Sequence, residues 1–162
     1  MNKPLTIVQA NLTNPQHAQA VLHLLNAYAL DPMVGGEPLS GFVKTNLVGE
    51  LQKRPNVLAI LAMVGDEPAG LAICVEGFST FACKPLLNVH DMVVLPQFRG
   101  RKLSHHILAK VQELAQQRGC CKITLEVLQG NTLAQHAYRA FGFEPYQLNP
   151  QMGHAQFWQK AL

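Results

Sequence analysis

Two β-rich apolar runs, "NVLAILAMV" (56–64) and "AGLAICVEGF" (69–78), are separated only by "GDEP", and this pairing constrains the fold more than any other segment. Gly65 and Asp66 suit a tight turn, so the runs are expected to be antiparallel neighbours in one sheet. A third run, "LLNVHDMVVL" (86–95), stops at Pro96, which has no N–H to give a ladder. The remaining elements follow from caps and spacing. "PLTIVQA" predicts a first strand, and Asn14 with Pro15 opens a helix over "PQHAQAVLHLLNAYAL". The prolines and paired glycines of "DPMVGGEPLSG" predict a loop, followed by a second helix over "GFVKTNLVGELQKR".

In the second half, Leu103, Ile107, Leu108, Val111, Leu114 and Ala115 form an apolar stripe on a helix that ends near Gly119. "CKITLEVL" (121–128) reads as a strand, "NTLAQHAYRAFG" as a helix capped by Asn131 and ended by Gly142, and "HAQFWQKAL" (154–162) as a final strand. The class is therefore α/β (α+β mixed), with a central twisted mixed sheet of about six to seven strands flanked by about four helices. At 162 residues, 48% apolar and 14% charged, the chain is expected to bury one core as a single domain over 1–162.

The balance of 13 basic and 10 acidic side chains, a net +3, is too mild for a nucleic-acid partner, and "RGRK" has no aromatic side chains interleaved with it. The start "MNKPLTIVQANLTN" lacks the pattern of a signal peptide, and no stretch reaches the roughly 18 apolar residues of a membrane span. A soluble, cytoplasmic protein without a membrane partner is expected. Cys74, Cys83, Cys120 and Cys121 show no CxxC spacing, and the adjacent pair would alternate faces on a strand, so free buried thiols are expected rather than zinc or disulfides. His105 and His106 lack HExxH spacing, and no metal is expected. A monomer and a homodimer both stay open.

The stretch "VHDMVVLPQFRGRKLSHHIL" (89–108) concentrates charge where a strand hands over to a helix. The first amides of that helix have no intrahelical partner, and its dipole adds positive potential. Gly100 lets the backbone approach an anion, and Arg99, Arg101 and Lys102 favour a dianionic phosphate group over a single carboxylate. A solvated basic helix start is the alternative.

Further along, "NTLAQHAYRAFGF" follows "VLPQFRGRKLS", and together they resemble the paired signature of the GCN5-related N-acetyltransferases. In that family V-x-P-x-x-R-G-x-G-x-G/A wraps the pyrophosphate of acetyl-coenzyme A, and N-x-x-A-x-x-x-Y-x-x-x-G-F lies beside the pantetheine and thioester. Val94, Pro96, Arg99 and Gly100 fit the first pattern; Asn131, Ala134, Tyr138, Gly142 and Phe143 fit the second. The resemblance implies acetyl-coenzyme A as co-substrate, with no metal. It would be held by the turn Arg99, Gly100, Arg101, Lys102, Leu103 and Ser104, by the strand edge Met92, Val93 and Val94, and by Asn131. Lys102 stands where the family has its second glycine and Ser104 where it has a final glycine or alanine. A lysine there is expected to keep a negative φ.

The resemblance further implies that the strand ending at Val94 splays from "KITLEVL", that pantetheine enters the gap, and that Tyr138 is the general acid for the leaving thiolate. An alkylammonium with a pKa of about 10.4 must lose its proton before it attacks. Asp91, His90 and Glu126 are the candidate bases. Asp91 is preferred because it precedes the coenzyme edge, while period-two alternation puts His90 and Asp91 on opposite faces unless a bulge intervenes. Asp31 and Glu37, in the loop between the first two helices, suit a cationic acceptor. The implied reaction is acetyl transfer to a primary amine of a small molecule or peptide by direct attack in a ternary complex. The alternative is a coenzyme A-binding module without turnover.

Overall fold

The computed structural model describes residues 3–162. Packing divides them into two compact units, the first ending at Leu125 and the second spanning Glu126–Leu162. The first unit holds a five-stranded sheet in the order β1-β2-β3-β4-β5. Its strands are β1 (Leu5–Gln9), β2 (Val57–Val64), β3 (Glu67–Ser79), β4 (Lys84–Val94) and β5 (Ile123–Leu125). The first four pair antiparallel, and β5 lies parallel to β4. The hairpin turns at Gly65, whose φ of +60 is the left-handed conformation such a turn requires.

Helices α1 (Pro15–Ala29), α2 (Gly41–Gln52) and α3 (Leu103–Gln117) complete this unit. Asn14 caps α1 by accepting from the Gln16 N–H at 2.9 Å, and Ser40 caps α2 by accepting from the Val43 N–H at 3.2 Å. Leu58 to Ala62 are buried without interruption, as in a strand covered on both faces. Ala20, Val21 and Leu24 of α1 are buried, as are all six residues of the α3 stripe. Gly70 marks how closely α3 approaches: a Cβ there would stand 2.9 Å from Ile107 Cδ1 and 3.0 Å from the Val93 carbonyl.

In the second unit, α4 (Thr132–Phe141) starts at Asn131, whose Oδ1 accepts from the Ala134 N–H at 3.1 Å. It ends at Gly142 with φ +108, and the Phe143 N–H closes the turn on the Tyr138 carbonyl at 3.0 Å.

Four expectations are corrected. The sheet has five strands among the described residues rather than six or seven. "HAQFWQKAL" forms no strand; Phe157 and Trp158 are largely exposed there, so nothing rewards an extended pairing. β5 is only three residues long, so Cys120 and Cys121 precede it and Glu126 follows it. The cysteines are free, but Cys74 alone of the four is buried. Among the described residues, no helix is long and apolar enough to cross a membrane, and no group of three or more His, Cys, Asp or Glu side chains converges as a metal site.

Candidate active site

β4 carries five of the predicted residues of the first unit, His90, Asp91, Met92, Val93 and Val94. Its register against β3 runs Cys74↔Val89 and then Ile73↔Asp91, which leaves His90 as an extra residue. This is a bulge, so simple alternation does not cross it. His90 is exposed and Asp91 is half-buried. Burial pushes the Asp91 carboxyl above its ordinary value, and the nearby His90 charge pulls it partly back. The ladder to β5 covers only Leu87–Val89 and Ile123–Leu125. The Met92–Val94 segment lies beyond the last of these pairs, because β5 ends at Leu125. Val93 is buried, while Met92 and Val94 are half-buried.

From Val94 the chain passes Pro96–Phe98, one short 3₁₀ turn, and reaches α3 through two left-handed residues, Gly100 (φ +77) and Lys102 (φ +58). The negative φ expected of Lys102 is thus wrong. The turn needs a left-handed residue at this position whatever the side chain, and lysine bears a steric cost of about 1–2 kcal/mol where glycine bears none. Lys102 is the N-cap residue of α3, makes no side-chain cap bond, and is followed by no acid in the first turn. The helix thus offers N-terminal amides and uncompensated dipole on the side where Arg99, Arg101 and Lys102 stand. A Cβ on Gly100 would meet nothing within 4 Å, so it is the left-handed φ rather than crowding that favours glycine there.

The cations are not equivalent. Arg101 lies over the buried Phe98 ring, 5.6 Å from its centroid. Arg99 Nε donates to the Val94 carbonyl at 3.1 Å, and its Nη2 is 3.6 Å from Asp31 Oδ2. Leu103 is buried, so its backbone is the part that can face a coenzyme, and Ser104 is half-buried beside it.

Asp31 follows α1 and organises its loop: Oδ1 accepts from the Met33 N–H at 2.9 Å, and its carbonyl accepts from the N–H groups of Val34, Gly35 and Gly36. Glu37 is exposed in the same loop. Sequence reasoning missed Tyr28. This half-buried residue near the end of α1 has its phenol pushed up by burial first, then by the charges of Asp91 and Asp31. Its hydroxyl therefore lies in the field of both carboxylates. The only trace in the sequence is its place three residues before Asp31.

In the second unit, Tyr138 is half-buried on α4 with its ring edge-on to Phe143. Asn131 is held as the cap, its Oδ1 accepting from the Ala134 N–H. Glu126, expected on a strand, is an exposed residue at the start of this unit.

A bulged strand, a left-handed turn and a helix start without a side-chain cap thus follow one another between His90 and Leu103. The profile of the acetyltransferase (GNAT) family matches residues 23–143. The chain is 28% identical over 127 residues to the thialysine N-epsilon-acetyltransferase of Caenorhabditis elegans, covering 76% of this chain and 75% of that one. It is 32% identical over 60 residues to the aminoglycoside N(6')-acetyltransferase type 1 of Salmonella typhimurium, covering 37% of this chain and 41% of that one. Among solved structures, the aminoglycoside N-acetyltransferase AAC(6')-Iy in complex with CoA superposes with a TM-score of 0.77 at 21% identity, over 100% of this chain and 98% of that one. At that identity the superposition speaks for the fold. The chain belongs to the GNAT family of acetyltransferases.

Proposed function

We propose that this protein transfers acetyl from acetyl-coenzyme A to a primary amine of a small molecule, by direct attack in a ternary complex, and that residues 1–162 act as one domain. The observation that carries the reading is the uncapped start of α3 behind two left-handed residues, at the end of a strand whose last residues extend beyond its pairing with β5. Such a site fits a pyrophosphate on helix amides and a pantetheine along the strand edge.

In this reading the backbone of Gly100 to Ser104, with Arg99, Arg101 and Lys102, binds the phosphates. Met92 to Val94 align the pantetheine, and Asn131 contributes its amide NH2. Asp91 takes the ammonium proton, directly or through a water, and the neutral amine attacks the thioester carbonyl. The C–N bond forms, the C–S bond breaks, Tyr138 donates its phenolic proton to the departing thiolate, and the acylated nitrogen loses its second proton to solvent, which reprotonates the Tyr138 phenolate. His90, Glu126, Asp31 and Glu37 remain the residues that orient the amine, and Tyr28 joins them. Relatives named for thialysine and aminoglycoside N-acetylation support a small cationic amine over a peptide. Four free cysteines suit the reducing cytoplasm.

The test is thiol release from acetyl-coenzyme A across a panel of lysine analogues, diamines, aminoglycosides and peptides. Release that depends on a small amine is expected. Tight coenzyme binding with no amine-dependent release would make the protein a binding module.

A further inference from the structure

Arg99 is bonded in two directions. Its Nε donates to the Val94 carbonyl at 3.1 Å, which fixes the guanidinium at the coenzyme turn, while Nη2 faces Asp31 Oδ2 at 3.6 Å. Asp31 in turn shapes the loop that follows α1, and its charge, like that of Asp91, bears on the Tyr28 phenol. One carboxylate therefore faces a phosphate-side cation and also bears on the tyrosine that feels Asp91. The pair is loose and its two side chains are 47% and 34% exposed, so each member remains open to a competing ion.

We propose that Asp31 is an internal competitor for Arg99, which makes coenzyme and cationic acceptor bind with positive cooperativity. This rests on the coenzyme placement given above. In the free protein Asp31 draws the guanidinium toward the acceptor loop. Coenzyme phosphate takes the guanidinium, leaves Asp31 uncompensated, and so prepares it for an ammonium. By linkage, an ammonium on Asp31 frees Arg99 and tightens coenzyme by the same factor. Asp31 thereby selects cationic over neutral amines.

The experiment is calorimetric titration of coenzyme A into the wild type, Asp31→Asn, Arg99→Gln and the double variant, with Glu113→Gln on α3 as a control for simple loss of negative charge. Asparagine keeps an oxygen for the Met33 N–H, so the loop retains its turn, and a thermal melt of each variant verifies folding. Asp31→Asn should bind coenzyme A about three-fold more tightly than wild type, and less so at high salt. Arg99→Gln should bind it more weakly, and adding Asp31→Asn to Arg99→Gln should give no further gain. Failure of Asp31→Asn to tighten binding, while Arg99→Gln weakens it, would overturn the competition and leave the coenzyme site standing. So would a gain that persists without Arg99 or appears equally in Glu113→Gln. Undiminished binding in Arg99→Gln would instead remove Arg99 from the coenzyme site, and the proposal with it.

Discussion

The ring of Tyr138 packs edge-on against Phe143, with centroids 6.0 Å apart. Tyr138→Phe keeps that contact and removes only the hydroxyl. Acetyl-coenzyme A affinity should stay within a few-fold of wild type and the melting temperature should hold, while turnover falls about 10²-fold, as for loss of a general acid. Calorimetry and steady-state thiol release read the two effects separately; unchanged turnover would reduce Tyr138 to a packing residue.

Asp91→Asn separates chemistry from stability. Because folding raises the Asp91 pKa, the native state holds that proton more tightly than the unfolded chain does. The stabilisation this brings is complete below the unfolded carboxylate range and lost as pH rises through the native value. At neutral pH the variant, having no charge to bury, should melt no lower than wild type, and the difference should close under acid. Acetyl transfer should nevertheless fall at neutral pH and recover partly at high pH, as more acceptor becomes neutral. A wild-type rate across the pH range would exclude Asp91 as the base.

Lys102→Gly relieves a left-handed lysine at φ +58. The relief of about 1–2 kcal/mol exceeds the roughly 0.5–1 kcal/mol that glycine's unfolded-state entropy costs, so the variant should be as stable as wild type or slightly more so. It should also bind coenzyme A more weakly with a shallower salt dependence, since a cation is gone. A marked fall in melting temperature would contradict the steric account. Lys102→Val, β-branched in the same conformation, should destabilise clearly.

At Gly70 space decides, because a Cβ would stand 2.9 Å from Ile107 Cδ1 and 3.0 Å from the Val93 carbonyl. Gly70→Ala should cost about 1–3 kcal/mol in chemical denaturation, as overpacking does. Ile107→Val in the same chain should return part of that loss by withdrawing the Cδ1 methyl, leaving the share due to the backbone contact.

The parts of the fold legible in the sequence are those whose causes are local. Asn14 with Pro15, Asn131 with Gly142, and Gly65 with Asp66 each carry their capping or turn chemistry within a few residues, and each appears where expected. The bulge at His90 exists only in the register against Ile73 and Cys74, so β4 alone does not reveal it. The short β5 and the strand-free tail likewise depend on whether a distant partner accepts them. The left-handed Lys102 is illegible because its side chain argues against the conformation that the turn imposes. The influence of the Asp91 charge on Tyr28 and the approach of Arg99 to Asp31 join residues far apart in the sequence, which periodicity does not bring together.

Direct acetyl transfer is the central claim, and a single turnover with isotopically labelled acetyl on acetyl-coenzyme A tests it most directly. With the best amine from the panel, mass spectrometry should find the label as N-acetyl product in proportion to the thiol released, with no labelled protein at any time. Label in free acetate, or held on the protein before it reaches the amine, would contradict it.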